Sequence, residues 1–345
     1  MLPRFLLTAG LTLVTVSAAS AQNVPLTLPR ESQPATVSQG IGLTDISVSY
    51  HRPAVKGRKV WGGLVPFDVV WRAGANENTV LTVTSPFTIG GAALPAGRYG
   101  LHFLPTATSW TLIVSRQANN WGSFSYHPSD DAARVPARTR AAEFVEHLQY
   151  SMDNPTDSSV TLTMRWERLA VSAPITVNSR DVVLDSIAQQ LHGIPQFFPQ
   201  GWLEAAEWAA ANGFPEQADR WADSSLLRGP SFGALELKAQ VLERQGDAAG
   251  AKAAHDRALA IATEADINRL GYRLLQQGKT DEAIALFRQN TRNYPRSWNT
   301  FDSLGEALAA KGDIKGARAS YEKALAMAPD EPQRARIRQI LAGLK

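Results

Sequence analysis

The chain has 345 residues, 44% of them hydrophobic and 19% charged, with 35 basic against 32 acidic side chains; this composition can bury a core and excludes a disordered polyelectrolyte. Residues 23–176 carry 13 basic and 11 acidic residues and residues 177–345 carry 21 of each, so no segment concentrates positive charge and the footprint of nucleic-acid binding is missing. The absence of cysteine excludes disulfides, thiolate metal sites, cysteine nucleophiles and a lipoprotein anchor.

The first segment reads as an address. Arg4 supplies a positive start, residues 5–16 (FLLTAGLTLVTV) are apolar, and Ala19-Ser20-Ala21 places small residues at a cleavage site. This is the layout of a signal peptide over residues 1–21. Twelve apolar residues span about 18 Å as a helix, short of the roughly 30 Å of a bilayer core. The expectation is export, to the periplasm or out of the cell, with no membrane span after cleavage.

Residues 22–175 follow a different pattern. Ile46-Ser47-Val48-Ser49-Tyr50, Val80–Thr84, Tyr99–Phe103, Trp110–Val114, His147–Met152 and Val160–Trp166 alternate apolar and polar side chains and are rich in Val, Thr, Tyr, Phe and Trp. Turn residues separate them, at Gly90-Gly91, Pro95-Ala96-Gly97 and Asp153-Asn154-Pro155. Short alternating strands with no helical pattern between them predict an all-β sandwich or barrel-like domain. Residues 23–43 read as a polar leader with one early strand, and residues 130–143 as a loop or short helix. The tryptophans Trp61, Trp71, Trp110, Trp121 and Trp166 are expected in the core.

Residues 176–198 read as a linker with a short amphipathic helix, after which the chain repeats itself. With Trp298 at position 1, Leu304-Gly305 fall at 7 and 8, Leu308 at 11, Ala317 at 20, Tyr321 at 24, Ala324 at 27 and Pro329 at 32. One repeat earlier, Leu270-Gly271, Leu274, Ala283, Phe287 and Pro295 take the same places. Two more degenerate units align Ala239, Leu242, Ala251, His255 and Ala258, and Trp202, Ala206, Ala218 and Ala222. The turn glycines Gly213, Gly246, Gly278 and Gly312 lie 33, 32 and 34 residues apart. This is the tetratricopeptide pattern, in which small residues at 8 and 20 let paired helices approach and large ones fill the gaps. It predicts an all-α solenoid of four hairpins over residues 199–331 and a capping helix over 332–345.

The β half also carries a resemblance. Tyr50-His51-Arg52-Pro53-Ala54-Val55-Lys56-Gly57-Arg58, Trp61-Gly62-Gly63-Leu64-Val65-Pro66, Val70-Trp71-Arg72-Ala73-Gly74-Ala75-Asn76-Glu77, Leu94–Gly100 and Trp121-Gly122-Ser123-Phe124 resemble the motifs of the DUF2911 family over residues 32–175. Ala73 and His51 depart from the polar residues expected there. The resemblance implies a fold and an exported bacterial setting with a tetratricopeptide tail, and implies no reaction.

Chemistry leaves few marks. The six histidines form no H-x-H or H-E-x-x-H pair, and no phosphate-binding loop, dinucleotide fingerprint or G-x-S-x-G elbow is present. No metal or cofactor is expected. Two polar blocks stand out: Arg52, Lys56, Arg58 and Lys59 around turn residues, then Trp71, Arg72, Asn76 and Glu77. Planar guanidinium forks beside a tryptophan wall suit a small anionic or carbohydrate ligand. The same residues also suit a structural knot, Arg72 pairing with Glu77 while Trp71 fills the core. In the array, Asn268, Arg269, Asn299 and Asp302 are candidate groove residues for a protein or peptide partner. The leading expectation is a non-enzymatic exported binding or scaffold protein. The alternative is a hydrolase or carbohydrate-modifying enzyme drawing on Arg52, Lys56, Arg72 and Glu77.

Overall fold

The computed structural model describes residues 28–344; the signal peptide expected over residues 1–21 lies outside the described residues. The chain divides between Ser179 and Arg180 into two compact units.

The first unit is one antiparallel sheet of nine strands. They are β1 (Gln33–Ile41), β2 (Thr44–Arg52), β3 (Thr79–Val83), β4 (Phe87–Ile89), β5 (Ala92–Leu94), β6 (Gly97–Pro105), β7 (Trp110–Ser115), β8 (Asp131–Asp153) and β9 (Ser159–Val177). Their spatial order is β1-β2-β3-β6-β7-β8-β9-β4-β5. In β2 the residues Ile46, Val48 and Tyr50 alternate inward, as period two requires. They meet Leu81, Leu101, Leu112, Met164 and Trp166 in one core. The sheet curls back on itself beyond β2: Leu148 N donates to Pro53 O at 3.0 Å and Val55 N to Glu146 O at 2.9 Å. These bonds tie the tail of β2 to the middle of β8 and give the unit its barrel-like character.

Residues 130–143 are neither loop nor helix. Apart from Asp130, which ends a short 3₁₀ turn, they form the first half of β8, pairing with β7 from Ser115↔Asp131 to Trp110↔Ala137. Pro136 is disfavoured in a helix interior, and the open edge of β7 satisfies the backbone of this segment instead.

The second unit is helical: α1 (Ser179–Gln190, its first residue preceding the boundary), α2 (Pro199–Ala211), α3 (Pro215–Arg228), α4 (Phe232–Arg244), α5 (Ala248–Ile261), α6 (Glu264–Gln276), α7 (Thr280–Asn293), α8 (Trp298–Lys311), α9 (Ile314–Met327) and α10 (Glu331–Gly343). From α2 to α9 they pack as four consecutive hairpins, α8 on α9 and likewise before it. Gly213, Gly246, Gly278 and Gly312 share a left-handed φ between 76° and 89°, the conformation that ends a helix at low cost only for glycine. Asp247, Asp313 and the Thr263/Asp266 capping box hold the starts of α5, α9 and α6. Leu184, Ile187 and Ala188 of α1 pack on the core of the first hairpin, with Leu191 buried, so α1 extends the array. Among the described residues no helix is long and apolar enough to cross a membrane.

Candidate functional site

In the array, the first helix of each hairpin supplies the polar candidates. A cavity of about 740 Å³ lies between α2, α4 and α6, bordered by Glu207, Glu236, Gln240, Arg244, Arg269 and Arg273. An adjoining cavity of about 860 Å³ shares Glu236, Gln240, Arg244 and Arg273 and reaches α7. Glu236 is buried there, its Oε1 2.5 Å from His255 Nδ1. His255 occupies the repeat position held by Phe287 and Tyr321 in the next two hairpins. Its substitution for an aromatic residue was the legible signal for this polar centre. Glu236, Gln240, Arg244 and Arg273 were not anticipated.

Asn268, Arg269 and Asn299 do come together, with Tyr272 and Tyr294, around a cleft of about 600 Å³. Asn268 Oδ1 is buried without a hydrogen-bond partner, and Asn299 Nδ2 donates to Glu264 Oε1 at 3.4 Å. Asp302 does not join them. It is buried against α10, 2.8 Å from Arg336, and burial raises its pKa.

In the β unit, Lys56, Arg58, Trp71, Arg72 and Asn76 border a cavity of about 300 Å³, with Trp166 as a second aromatic wall. Most of the polar groups are already engaged. Lys56 Nζ bonds Glu31 at 3.0 Å, and Arg58 donates to the carbonyls of Val55 and Ala54 at 3.0 and 2.6 Å. Arg52 is absent from this cavity lining and donates to Leu148 O at 3.0 Å. Glu77 does not pair with Arg72. One nitrogen of Arg30 reaches both its oxygens, at 2.6 and 2.8 Å, and His51 Nε2 lies 3.5 Å away. The hydrogen bond from Arg30 holds the Glu77 carboxyl below the usual range. The four residues of the hydrolytic alternative are therefore divided between separate partners.

Arg72 is the unusual member. It donates to Asn76 O at 2.8 Å, its guanidinium sits 5.3 Å from the Phe124 ring, and no carboxylate pairs with it among the described residues. Burial lowers its pKa. The neighbouring His102 is fully buried. Its Nδ1 shares a 2.9 Å hydrogen bond with Ser123 Oγ, and burial takes its pKa from 6.5 down to about 4, so the ring is neutral near neutral pH.

Four of the five tryptophans expected in the core pack there: Trp61 contacts Trp71, Trp110 and Trp166 with ring centres 4.9–5.9 Å apart. Trp121 does not. It is 53% exposed, because it sits in a loop outside the ladder, where alternation cannot turn it inward. Among the described residues no group of three or more His, Asp or Glu side chains is gathered as a metal would require.

No curated protein matches the chain. Among solved structures, MamA (residues 41 to the end) from Desulfovibrio magneticus RS-1 is 18% identical over 44% of this chain and 84% of its own, with a TM-score of 0.29. YrrB, described as a TPR protein with an unusual peptide-binding site, is 18% identical over 47% of this chain and 84% of its own, with a TM-score of 0.29. The C-terminal part of a TPR repeat-containing protein from Cytophaga hutchinsonii is 16% identical over 46% of this chain and 66% of its own, with a TM-score of 0.31. The model of the DUF2911 family, a protein family of unknown function, matches residues 32–175, and a tetratricopeptide repeat model matches residues 268–332.

Proposed function

We propose that this protein is an exported, non-enzymatic binding protein whose tetratricopeptide array scaffolds a partner protein or peptide. The observation that carries the reading is the pair of adjoining cavities along α2, α4 and α6, where Gln240, Arg244 and Arg273 stand beside the buried Glu236 and its half-exposed partner His255. Stacked hairpins place the first helices side by side, so an extended segment can cross several of them at once. Asn268 adds a buried carbonyl oxygen that a peptide N–H would satisfy. The experiment is photocrosslinking in envelope extracts, with the reactive residue at Gln240 or, as control, at the exposed Lys315. A discrete adduct from Gln240 alone supports the reading; equal or no adducts at both overturn it.

Export rests on residues 1–21. The expected mature chain begins at Gln22 and fractionates with the periplasm, and recovery of an unprocessed cytosolic chain rejects it. The β unit contributes a small-ligand patch in this reading, supported by the cavity between Lys56, Arg58 and the Trp71 wall. A rise in melting temperature with citrate or phosphate, lost in Lys56→Ala, tests it.

A further inference from the structure

The loop after β7 carries two large aromatic residues in the open. Trp121 is 53% and Phe124 is 83% exposed, although Gly122 and Ser123 between them are tied down. Gly122 lies against the Arg72 guanidinium, and Ser123 Oγ bonds the buried His102. Asn120 O accepts from Asn78 N at 3.1 Å, and Ser123 O from Tyr126 N at 3.3 Å. The loop is therefore tied through Asn120, Gly122 and Ser123 to Asn78, Arg72 and His102 of the β unit, while Trp121 and Phe124 stay exposed. Such exposure on an anchored segment holds two aromatic side chains where a partner can reach them.

The polar groups between the rings form an unbroken chain. Arg30 stacks 5.5 Å from the Trp121 ring and clasps Glu77. Glu77 adjoins Asn76, whose carbonyl receives Arg72, and Arg72 stacks 5.3 Å from Phe124. Aromatic wall, guanidinium, carboxylate, amide, guanidinium and aromatic wall thus follow one another along one strip. Each ring has a cation near it, and both residues keep much of their surface exposed.

We infer that Trp121 and Phe124, with the strip Arg30–Glu77–Asn76–Arg72 between them, form a binding platform for a saccharide bearing a carboxylate. The ring faces are electron-rich and suit the polarised C–H faces of a pyranose. The planar donors and acceptors at their edges suit its hydroxyl groups. A lipid or a wholly apolar peptide segment would strip water from the Arg30–Glu77 pair and the Arg72 guanidinium without offering hydrogen bonds in its place, which is costly. The carboxylate follows from charge. Glu77 neutralises Arg30, whereas Arg72 has no acidic partner among the described residues. The inference rests on the reading of the β unit as ligand-binding and assigns that reading a chemical class and a further group of residues, which shares Arg72 and Asn76 with the cavity.

The test is calorimetric titration of the full chain with tetragalacturonate and with uncharged maltotetraose, followed in parallel by tryptophan fluorescence. Tetragalacturonate is expected to bind saturably and about tenfold or more tighter than the neutral sugar, a difference of about 1.4 kcal/mol. Trp121→Ala and Phe124→Ala are expected to weaken it by a similar factor at unchanged melting temperature, Trp121→Tyr to retain it, and Arg72→Gln to erase the preference for the acid. Absence of saturable binding, equal binding of both sugars, or binding unaffected by Trp121→Ala overturns the inference. If citrate stabilises the chain through Lys56 while neither sugar binds, the platform is refuted and the cavity reading stands.

Discussion

The Arg72 guanidinium packs against Gly122 so closely that a Cβ at position 122 would stand 2.6 Å from Arg72 Cζ. Gly122 also has a φ of 67°, which a side chain disfavours. Gly122→Ala is expected to displace Arg72 and to cost about 1–3 kcal/mol. Chemical denaturation measures the cost; an unchanged midpoint contradicts it.

Gly271 and Phe287 repeat the relationship inside the array. A Cβ at Gly271 would lie 2.5 Å from the Phe287 ring, which is fully buried, whereas the corresponding distance from Gly305 to Tyr321 is 3.0 Å. The helical gain of alanine offsets part of the clash, leaving Gly271→Ala destabilised by about 1–2 kcal/mol and Gly305→Ala by less. Paired melting curves check the order, and the reverse order refutes it.

His102 predicts a pH dependence. Its folded pKa, about 4, lies below its ordinary 6.5 because the ring is buried. The unfolded chain therefore binds more protons between these values, and stability falls as the medium is acidified through that window. The expected loss is about 2 kcal/mol between about pH 7 and about pH 5. A His102→Gln chain is expected to lack this slope, and equal slopes in the two proteins would show that His102 is not its source.

Asp302 and Arg336 join the last hairpin to α10. Arg336→Ala leaves a buried carboxylate without its cation and is expected to cost about 1–2 kcal/mol at neutral pH. Burial raises the Asp302 pKa, so the folded state holds this proton more tightly and the penalty shrinks as pH falls. Asp302→Asn in the same background is expected to recover part of the loss. A penalty that grows on acidification contradicts this account.

The helical repeat was legible residue by residue, because its packing is local. Gly271 meets Phe287 and Gly305 meets Tyr321 across one short turn, so the spacing states the contact. The strands at Ile46–Tyr50 and Val160–Trp166 were legible for the same reason, since alternation needs only neighbours. Other features needed the assembled sheet. Residues 131–137 became strand because the edge of β7 was open to them. Arg30 lies 47 residues from Glu77, and no local pattern announces a bond at that distance. Trp121 resembled Trp110 as a letter and differed in having no ladder to turn it inward.

By itself, the order of residues determined a β half, a run of helical hairpins, their turns and the small–large pairs within them, because each depends on spacing of two or about three and a half residues. The tertiary structure decided which cations keep carboxylate partners, which tryptophans are buried, and which groove residues share a cleft. Those outcomes depend on which distant segments meet, and on water being excluded from some of them and left beside others.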